Sequence, residues 1–141
     1  MTQLDDTAPY LRPIGIVRSS LKRREECPHQ GNEGTPDAWV EIGVAFVEGL
    51  EGITPGSEVI LITWFHESQR DVLKVHPRGD VQNPLRGVFA TRSPERPNPI
   101  GLHRVEVLEI ERPGRLRVRP LEALGGTPVL DIKPILPVED A

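Results

Sequence analysis

The stretch Arg115-Leu116-Arg117-Val118-Arg119-Pro120 shows the clearest alternation of apolar and charged side chains in the chain. Successive side chains of a β-strand point to opposite faces, so Leu116 and Val118 predict a face buried in a core. The arginines between them predict a face in water. Residues 115–120 are therefore expected to form a strand at the surface of an apolar core.

On either side of this strand, short apolar segments separated by Gly- and Pro-rich turns have the lengths of further strands. They cover residues 14–19, 40–46, 58–65, 101–110 and 129–132. Apolar residues alternate over 40–46, whereas the continuous apolar run 59–62 predicts burial on both faces. Residues 49–56 suit turns or one short helix, and 66–75 suit a loop or a helical turn. Without a convincing long helix, the pattern favours an all-β barrel or sandwich over an alternating α/β fold.

Length and composition predict one domain in the cytoplasm. The 141 residues suit a single core, and we expect a flexible segment over 1–12, a domain over 13–137 and a tail over 138–141. The start does not resemble a signal peptide, and no stretch approaches the roughly 18 apolar residues of a membrane span. The single cysteine, Cys27, excludes an internal disulfide and fits a reducing compartment. The four histidines show no metal-ligand spacing, so no metal is expected. The lack of a long apolar run means that no membrane is expected either.

The charge distribution leaves a nucleic-acid role open. A net charge of −4 argues against a broad basic surface for nucleic acid. Local basic clusters remain, namely Arg18, Lys22, Arg23 and Arg24 near the start and Arg86, Arg92, Arg96 and Arg104 further on. Solvated basic faces balanced by nearby acids are the commoner explanation of such clusters. Charge alone therefore does not decide between the two.

Two loops are candidates for a functional site. Residues 20–38 contain prolines, glycines and many charges, and a loop of this length in a compact domain is usually functional or disordered. The second is Gly87-Val88-Phe89-Ala90-Thr91-Arg92-Ser93-Pro94-Glu95-Arg96-Pro97-Asn98-Pro99-Ile100-Gly101, where three prolines fall within six residues. Prolines fix φ and favour extended neighbours, so Arg92, Arg96 and Asn98 are expected on a stiff loop. Such a loop suits ligand binding, although a rigid corner whose arginines pair with Glu95 explains it equally well.

The segment Gly126-Thr127-Pro128-Val129-Leu130-Asp131-Ile132-Lys133-Pro134 is the second dense motif. Asp131 and Lys133 are expected to share one face of a strand, and Leu130 and Ile132 the other. An ion pair beside a core strand is the simplest interpretation. No Gly-x-Gly-x-x-Gly or P-loop motif is present, which argues against a Rossmann-type nucleotide site.

Together with Pro13-Ile14-Gly15-Ile16-Val17-Arg18-Ser19 and Pro28-His29-Gln30, these two motifs resemble the TsaA-like (TrmO) family over residues 13–137. The resemblance implies a single-domain β-barrel with long connecting loops that binds S-adenosylmethionine without a metal. It also implies a homodimer whose site lies near the subunit interface. Family members of known activity N-methylate threonylcarbamoyladenosine beside the tRNA anticodon, so tRNA is the implied substrate.

The resemblance also implies the site residues. The cofactor contacts fall on Pro28, His29, Gln30, His66, Glu67, Arg92, Leu102, Glu122, Ala123, Leu124 and Gly125. Arg92, Arg96 and Asn98 are candidates for orienting the reactants, and Arg96, Asp131 and Lys133 for binding substrate. No general base is assigned, because the nitrogen attacked in the family's substrate lies between a carbonyl and a purine that both withdraw electrons.

Two positions depart from the family pattern. Glu122-Ala123-Leu124-Gly125 stands where the family usually has Asp-Leu-x-Asp, and Glu67 stands where a Gln is expected. The chain also ends at Ala141, without the additional C-terminal domain of longer members. Two alternatives therefore stand beside tRNA methylation: a methyltransferase of the same fold with another RNA or a small molecule as acceptor, and a noncatalytic S-adenosylmethionine-binding dimer.

Overall fold

The computed structural model describes residues 2–4, 10–19 and 36–136. Within this part of the chain there are eight strands: β1 (Gly15–Arg18), β2 (Ala38–Ile42), β3 (Glu58–Trp64), β4 (Lys74–Val75), β5 (Arg86–Gly87), β6 (Ile100–Glu111), β7 (Arg115–Arg119) and β8 (Pro128–Pro134). Six of them close into an antiparallel barrel in the order β1-β2-β7-β6-β3-β8, and β4 pairs only with β5. Helix in the described residues is limited to three short 3₁₀ helices, Val44–Leu50, Pro77–Gly79 and Val88–Ala90. The predicted all-β barrel with little helix is confirmed.

The core lies inside the barrel and is built from alternate positions of its strands. On β7, Leu116 and Val118 are fully buried, as their alternation with arginines predicts. The inward side chains of the two longest pairings are equally buried, namely Val59, Leu61, Val105 and Val107. Burying a valine or leucine stabilises a fold by roughly 1.5–3 kcal/mol, so this interior is the main source of stability.

The outer face of the barrel carries paired charges. Arg18 bonds Glu41 at 2.6 Å, and this hydrogen bond lowers the pKa of the Glu41 carboxyl. Arg117 contacts Asp37 at 2.8 Å and Glu109 at 3.3 Å. All these side chains are at least one-third exposed, and such pairs contribute little to stability individually. Their effect is to neutralise most of the cations on this surface.

The strand predicted over residues 40–46 is wrong beyond Ile42. After β2 the chain leaves the sheet at Gly43, whose N–H donates to Ile14 O at 2.8 Å, and the helix Val44–Leu50 follows. Val44, which the alternation places inside, is 89% exposed. Phe46, Val47 and Leu50 instead pack against the core from one turn of helix. Because of their helical spacing, these three side chains lie on one side of the helix and cover one end of the barrel.

Burial of residues 59–62 on both faces is also wrong. Val59 and Leu61 point into the core, but Ile60 and Ile62 are only half-buried on the outside of β3. The six barrel strands form a single layer, so the described residues cover these two side chains only in part.

The antiparallel order sends three connections to the same end of the barrel. Residues 19–37 join β1 to β2, residues 65–99 join β3 to β6, and residues 120–127 join β7 to β8. We call this the long-loop end. The opposite end carries the helix Val44–Leu50 and the short turn between β6 and β7. Every loop singled out by sequence therefore leaves from the long-loop end.

Candidate functional site

Residue Arg96 organises the proline-rich loop at the long-loop end. Its guanidinium donates to the backbone carbonyls of Thr91 and Ser93 at 3.0–3.1 Å and also to that of Val88. A planar guanidinium can bond several carbonyls at once, so Arg96 fixes the curvature of residues 88–96. The structure thus gives Arg96 a role inside the loop, and its assignment to substrate remains a prediction.

Arg70, which the sequence did not single out, ties the segment after β3 to the same loop. Its Nε donates to Pro97 O at 2.6 Å and its Nη2 to Asn98 Oδ1 at 3.1 Å. The guanidinium also lies 5.0 Å from the centre of the Trp64 ring. The side chain of Asn98, predicted to orient reactants, is therefore used to hold the loop. Glu95 adds a further link by accepting a hydrogen bond from the Gln69 N–H.

Three predicted site residues remain available on this ordered surface. Arg92 is exposed, and within the described residues it makes no hydrogen bond or ion pair. His66 and Glu67, directly after β3, are exposed as well, and His66 Nε2 lies 3.7 Å from Glu67 Oε2. An exposed guanidinium and an exposed carboxylate on neighbouring segments can bind groups of opposite charge.

A polar pair, in which Thr63 is buried and His103 partly buried, lies on the inside of the barrel at the long-loop end. Thr63 Oγ1 and His103 Nε2 are 2.8 Å apart, and the Phe65 ring meets the imidazole edge-on at 5.7 Å between centroids. Gly101 makes room for this packing, because a Cβ there would lie 2.5 Å from Phe65 Cζ. Burial lowers the pKa of His103 from 6.5 to about 4, so the imidazole is neutral at physiological pH. The inward register of β6 was the signal that could have singled out His103.

The segment before β8 offers mainly backbone to a ligand. Ala123 and Leu124 are buried, Glu122 is half-buried and Gly125 is exposed. Gly126, with φ at 92°, makes the turn and donates to Val17 O at 2.8 Å. This bond fixes residues 122–125 against the end of β1. Pro28, His29 and Gln30 lie outside the described residues, so their predicted cofactor contacts remain predictions.

Leu102, Asp131 and Lys133 lie on the outer face of the barrel instead of the mouth. Leu102 is 52% exposed on β6 and pairs with Ile62, which in turn pairs with Asp131. Asp131 and Lys133 form the ion pair expected from their spacing, at 3.5 Å. The structure therefore places these three residues on the side of the barrel.

Within the described ranges, no group of three or more His, Cys, Asp and Glu side chains is close enough together to hold a metal ion. The helices in the same ranges are far too short to span a membrane.

Comparison with known proteins assigns this fold and loop arrangement to a family. Residues 16–141 match the family model described as the tRNA-methyltransferase O N-terminal domain. The chain belongs to this TrmO family, as its motifs predict. An "S-adenosyl-L-methionine-binding protein" of Archaeoglobus fulgidus is 45% identical over 130 residues, covering 92% of this chain and 91% of that protein. A "probable S-adenosyl-L-methionine-binding protein" of Methanothermobacter thermautotrophicus is 42% identical over 131 residues, covering 93% of each.

Solved structures agree with this assignment. The crystal structure of TrmO from Pseudomonas aeruginosa is 34% identical, with a TM-score of 0.75, and it matches 97% of this chain. Another TrmO crystal structure is 38% identical, also with a TM-score of 0.75, over 96% of this chain. This chain spans 60% of the first and 61% of the second, so it corresponds to part of those longer proteins.

Proposed function

We propose that this protein is an S-adenosylmethionine-dependent methyltransferase that N-methylates threonylcarbamoyladenosine in cytoplasmic tRNA. The observation that carries the proposal is the ordered loop 87–101, which contains the family motif and leaves from the same barrel end as residues 66–67 and 122–125. The names of the two archaeal relatives support the cofactor, and the family description supports the tRNA substrate.

The side chains at the long-loop end suit the chemistry of S-adenosylmethionine. That molecule has an amino acid end, a ribose diol, an adenine ring and a cationic sulfur. Glu67 offers a carboxylate for hydroxyl or ammonium groups, and Arg92 offers a planar fork for a carboxylate. The peptide groups of residues 122–125 can bond the polar edge of a purine. When bound, the cofactor supplies a methyl group that is activated by the positive charge on sulfur.

The chain's own contribution is alignment. Transfer of a methyl group in line requires the acceptor nitrogen and the donor to be held at one distance and angle. Arg96 and Arg70 order the loop before any ligand arrives, so Arg92 loses little entropy when it binds. No side chain is assigned as a general base, because the acceptor nitrogen of the proposed substrate is already acidified by its neighbours.

We also propose that the protein acts as a homodimer. Ile100 is 40% exposed and Leu102 52% exposed on the outer side of β6, next to the half-buried Ile62 and Trp64 of β3. Adjacent apolar side chains on an open sheet face often mark a protein interface. In a dimer formed through this face, Leu102 would contact the cofactor site of the second subunit. Sedimentation at micromolar concentration should show a dimer, and a monomer with and without cofactor would contradict this.

Turnover on defined tRNA tests the function. Transfer of labelled methyl groups to bulk tRNA should require the threonylcarbamoyl modification, and nucleoside mass spectrometry should find the added methyl group on that base. Arg112→Ala, a change at an exposed arginine on the opposite barrel end, serves as the matched control for Arg92→Ala. Activity on unmodified tRNA or on a small molecule would favour another acceptor. Calorimetric binding of S-adenosylmethionine without turnover on any RNA would favour the noncatalytic module.

A further inference from the structure

The connection between β3 and β6 differs in charge from the rest of the molecule. We call residues 66–99, which include the β4–β5 ribbon, the ribbon lobe. The lobe contains six Lys and Arg against four Asp and Glu, a net charge of +2, whereas the whole chain carries −4. The remaining residues are correspondingly acidic. An anionic partner would therefore be attracted more strongly to the lobe than to the rest of the chain taken as a whole.

The cations of the lobe also differ from those of the barrel in their ion pairing. Barrel strands pair five of their six cations, all but Arg119, with carboxylates at 2.5–3.6 Å, namely Arg18, Arg104, Arg115, Arg117 and Lys133. On the lobe, Lys74, Arg78, Arg86 and Arg92 are exposed and form no ion pair within the described residues. Two lobe carboxylates, Asp80 and Glu95, accept instead from the backbone N–H groups of Gln82 and Gln69. Two of the four lobe acids are thus bonded to the lobe's own backbone, and these four cations have no ion-pair partner among the described residues.

A large aromatic side chain stands among these cations. Phe89 is 80% exposed in the 3₁₀ helix Val88–Ala90, with Arg86 three residues before it and Arg92 three residues after it. The neighbouring residue Val88 anchors this position, because its side chain is buried and its N–H donates to Leu73 O at 2.9 Å. Arg96 holds the carbonyls on either side of the ring. A rigid, exposed ring beside unpaired guanidinium groups is the combination that binds single-stranded nucleic acid, by stacking a base and contacting phosphates.

We infer that the ribbon lobe is the RNA-binding surface of this protein, with an unpaired base stacked on Phe89 and phosphates bound by Lys74 and Arg86. The inference rests on the proposed function for the RNA substrate and names the residues that hold it. The stacked base and its phosphates would lie beside Arg92, at the edge of the proposed cofactor site. The lobe would therefore hold the loop of the RNA while the acceptor base reaches the barrel mouth.

The test is binding of a fluorescent single-stranded RNA oligonucleotide to the whole chain, at several salt concentrations and without cofactor. The wild-type protein should bind the single strand more tightly than a duplex of the same composition. Phe89→Ala should weaken binding roughly 5- to 150-fold, and Phe89→Trp should restore it. Arg86→Ala should reduce the slope of log K against log salt by about 0.7, the contribution of one phosphate contact. Arg112→Ala, the control outside the lobe, should leave affinity and slope unchanged.

Two outcomes would overturn the inference. RNA affinity of Phe89→Ala equal to that of wild type, in a sample with an unchanged circular dichroism spectrum, would exclude stacking on this ring. Conversion of a wild-type dimer to a monomer by Phe89→Ala would show instead that the ring packs against a second copy. The assay needs no catalysis, so its failure is separable from failure of the proposed function. If RNA binding depends on Phe89 but the protein transfers no methyl group, the RNA-binding inference is supported and the proposed methyltransferase function is contradicted.

Discussion

Replacing His103 with glutamine should remove a loss of stability in acid that the wild-type protein shows. Burial lowers the pKa of His103 from 6.5 to about 4, whereas the unfolded chain returns it to the ordinary value. Between these two pH values the unfolded state binds the extra proton, so stability is complete above about pH 6.5 and falls as the pH decreases towards 4. At about pH 4.5 the linkage amounts to a loss of at most about 2.5 kcal/mol. Glutamine can keep a hydrogen bond to Thr63 and cannot titrate.

Urea unfolding followed by tryptophan fluorescence measures this difference, because Trp39 and Trp64 lie on β2 and β3 of the barrel. Wild type and His103→Gln should be compared at about pH 7.5, 6 and 4.5. The unfolding free energy of wild type should fall by roughly 2 kcal/mol more than that of the variant over this range. His66→Gln, at an exposed histidine, is the control and should follow wild type. Parallel curves for wild type and His103→Gln would refute the assignment of the acid sensitivity to His103.

Four further substitutions, at three positions, separate function from packing at the same barrel end. Arg92→Ala should reduce activity about ten- to a hundredfold while changing the unfolding free energy by less than about 1 kcal/mol, because its exposed guanidinium bonds to none of the described residues. Arg92→Lys should also remain folded and lose most activity, since lysine lacks the planar fork, and wild-type turnover by this variant would contradict the assignment. Arg96→Ala should cost about 2–3 kcal/mol in urea unfolding, because several loop carbonyls lose their donor, and stability equal to that of Arg92→Ala would show that the loop does not depend on it. Gly101→Ala should lower thermal stability by about 1–3 kcal/mol, because its Cβ would lie 2.5 Å from Phe65, whereas Gly49→Ala meets nothing within 4 Å and is the control.

The strands could be predicted because their signal is local. Alternation at Leu116 and Val118 depends only on the period of a strand, and the structure places both side chains inside. The prediction over 40–46 failed because Val44 and Phe46 continue that period by chance after the chain has left the sheet at Gly43. Burial of Ile60 and Ile62 failed for another reason. Sequence shows that a residue is apolar, but not whether a second layer exists to cover it.

The sequence indicated where the site lies but not the role of each side chain within it. The proline-rich motif marks the loop, and resemblance supplied Arg92, yet the roles of Arg96 and Arg70 depend on which distant carbonyls they reach. Arg70 bonds Pro97, 27 residues away, and His103 bonds Thr63, 40 residues away. Nothing local to Arg96 and Arg70 distinguishes them from solvated surface groups, whereas the alternation along β6 does place His103 on the inward face. Only the closure of β3 against β6 brings these partners together.

Barrel closure also limits how this protein can associate with itself. Each of the six barrel strands has a hydrogen-bonded neighbour on both sides, so their backbones present no edge onto which another chain could add a strand. Among the described strands, free edges are confined to the two-residue strands β4 and β5. Contacts that involve the wall of the described barrel are therefore made by side chains. Selection can alter side chains one at a time, so the strength of such an association can change gradually without disturbing the sheet that supports it.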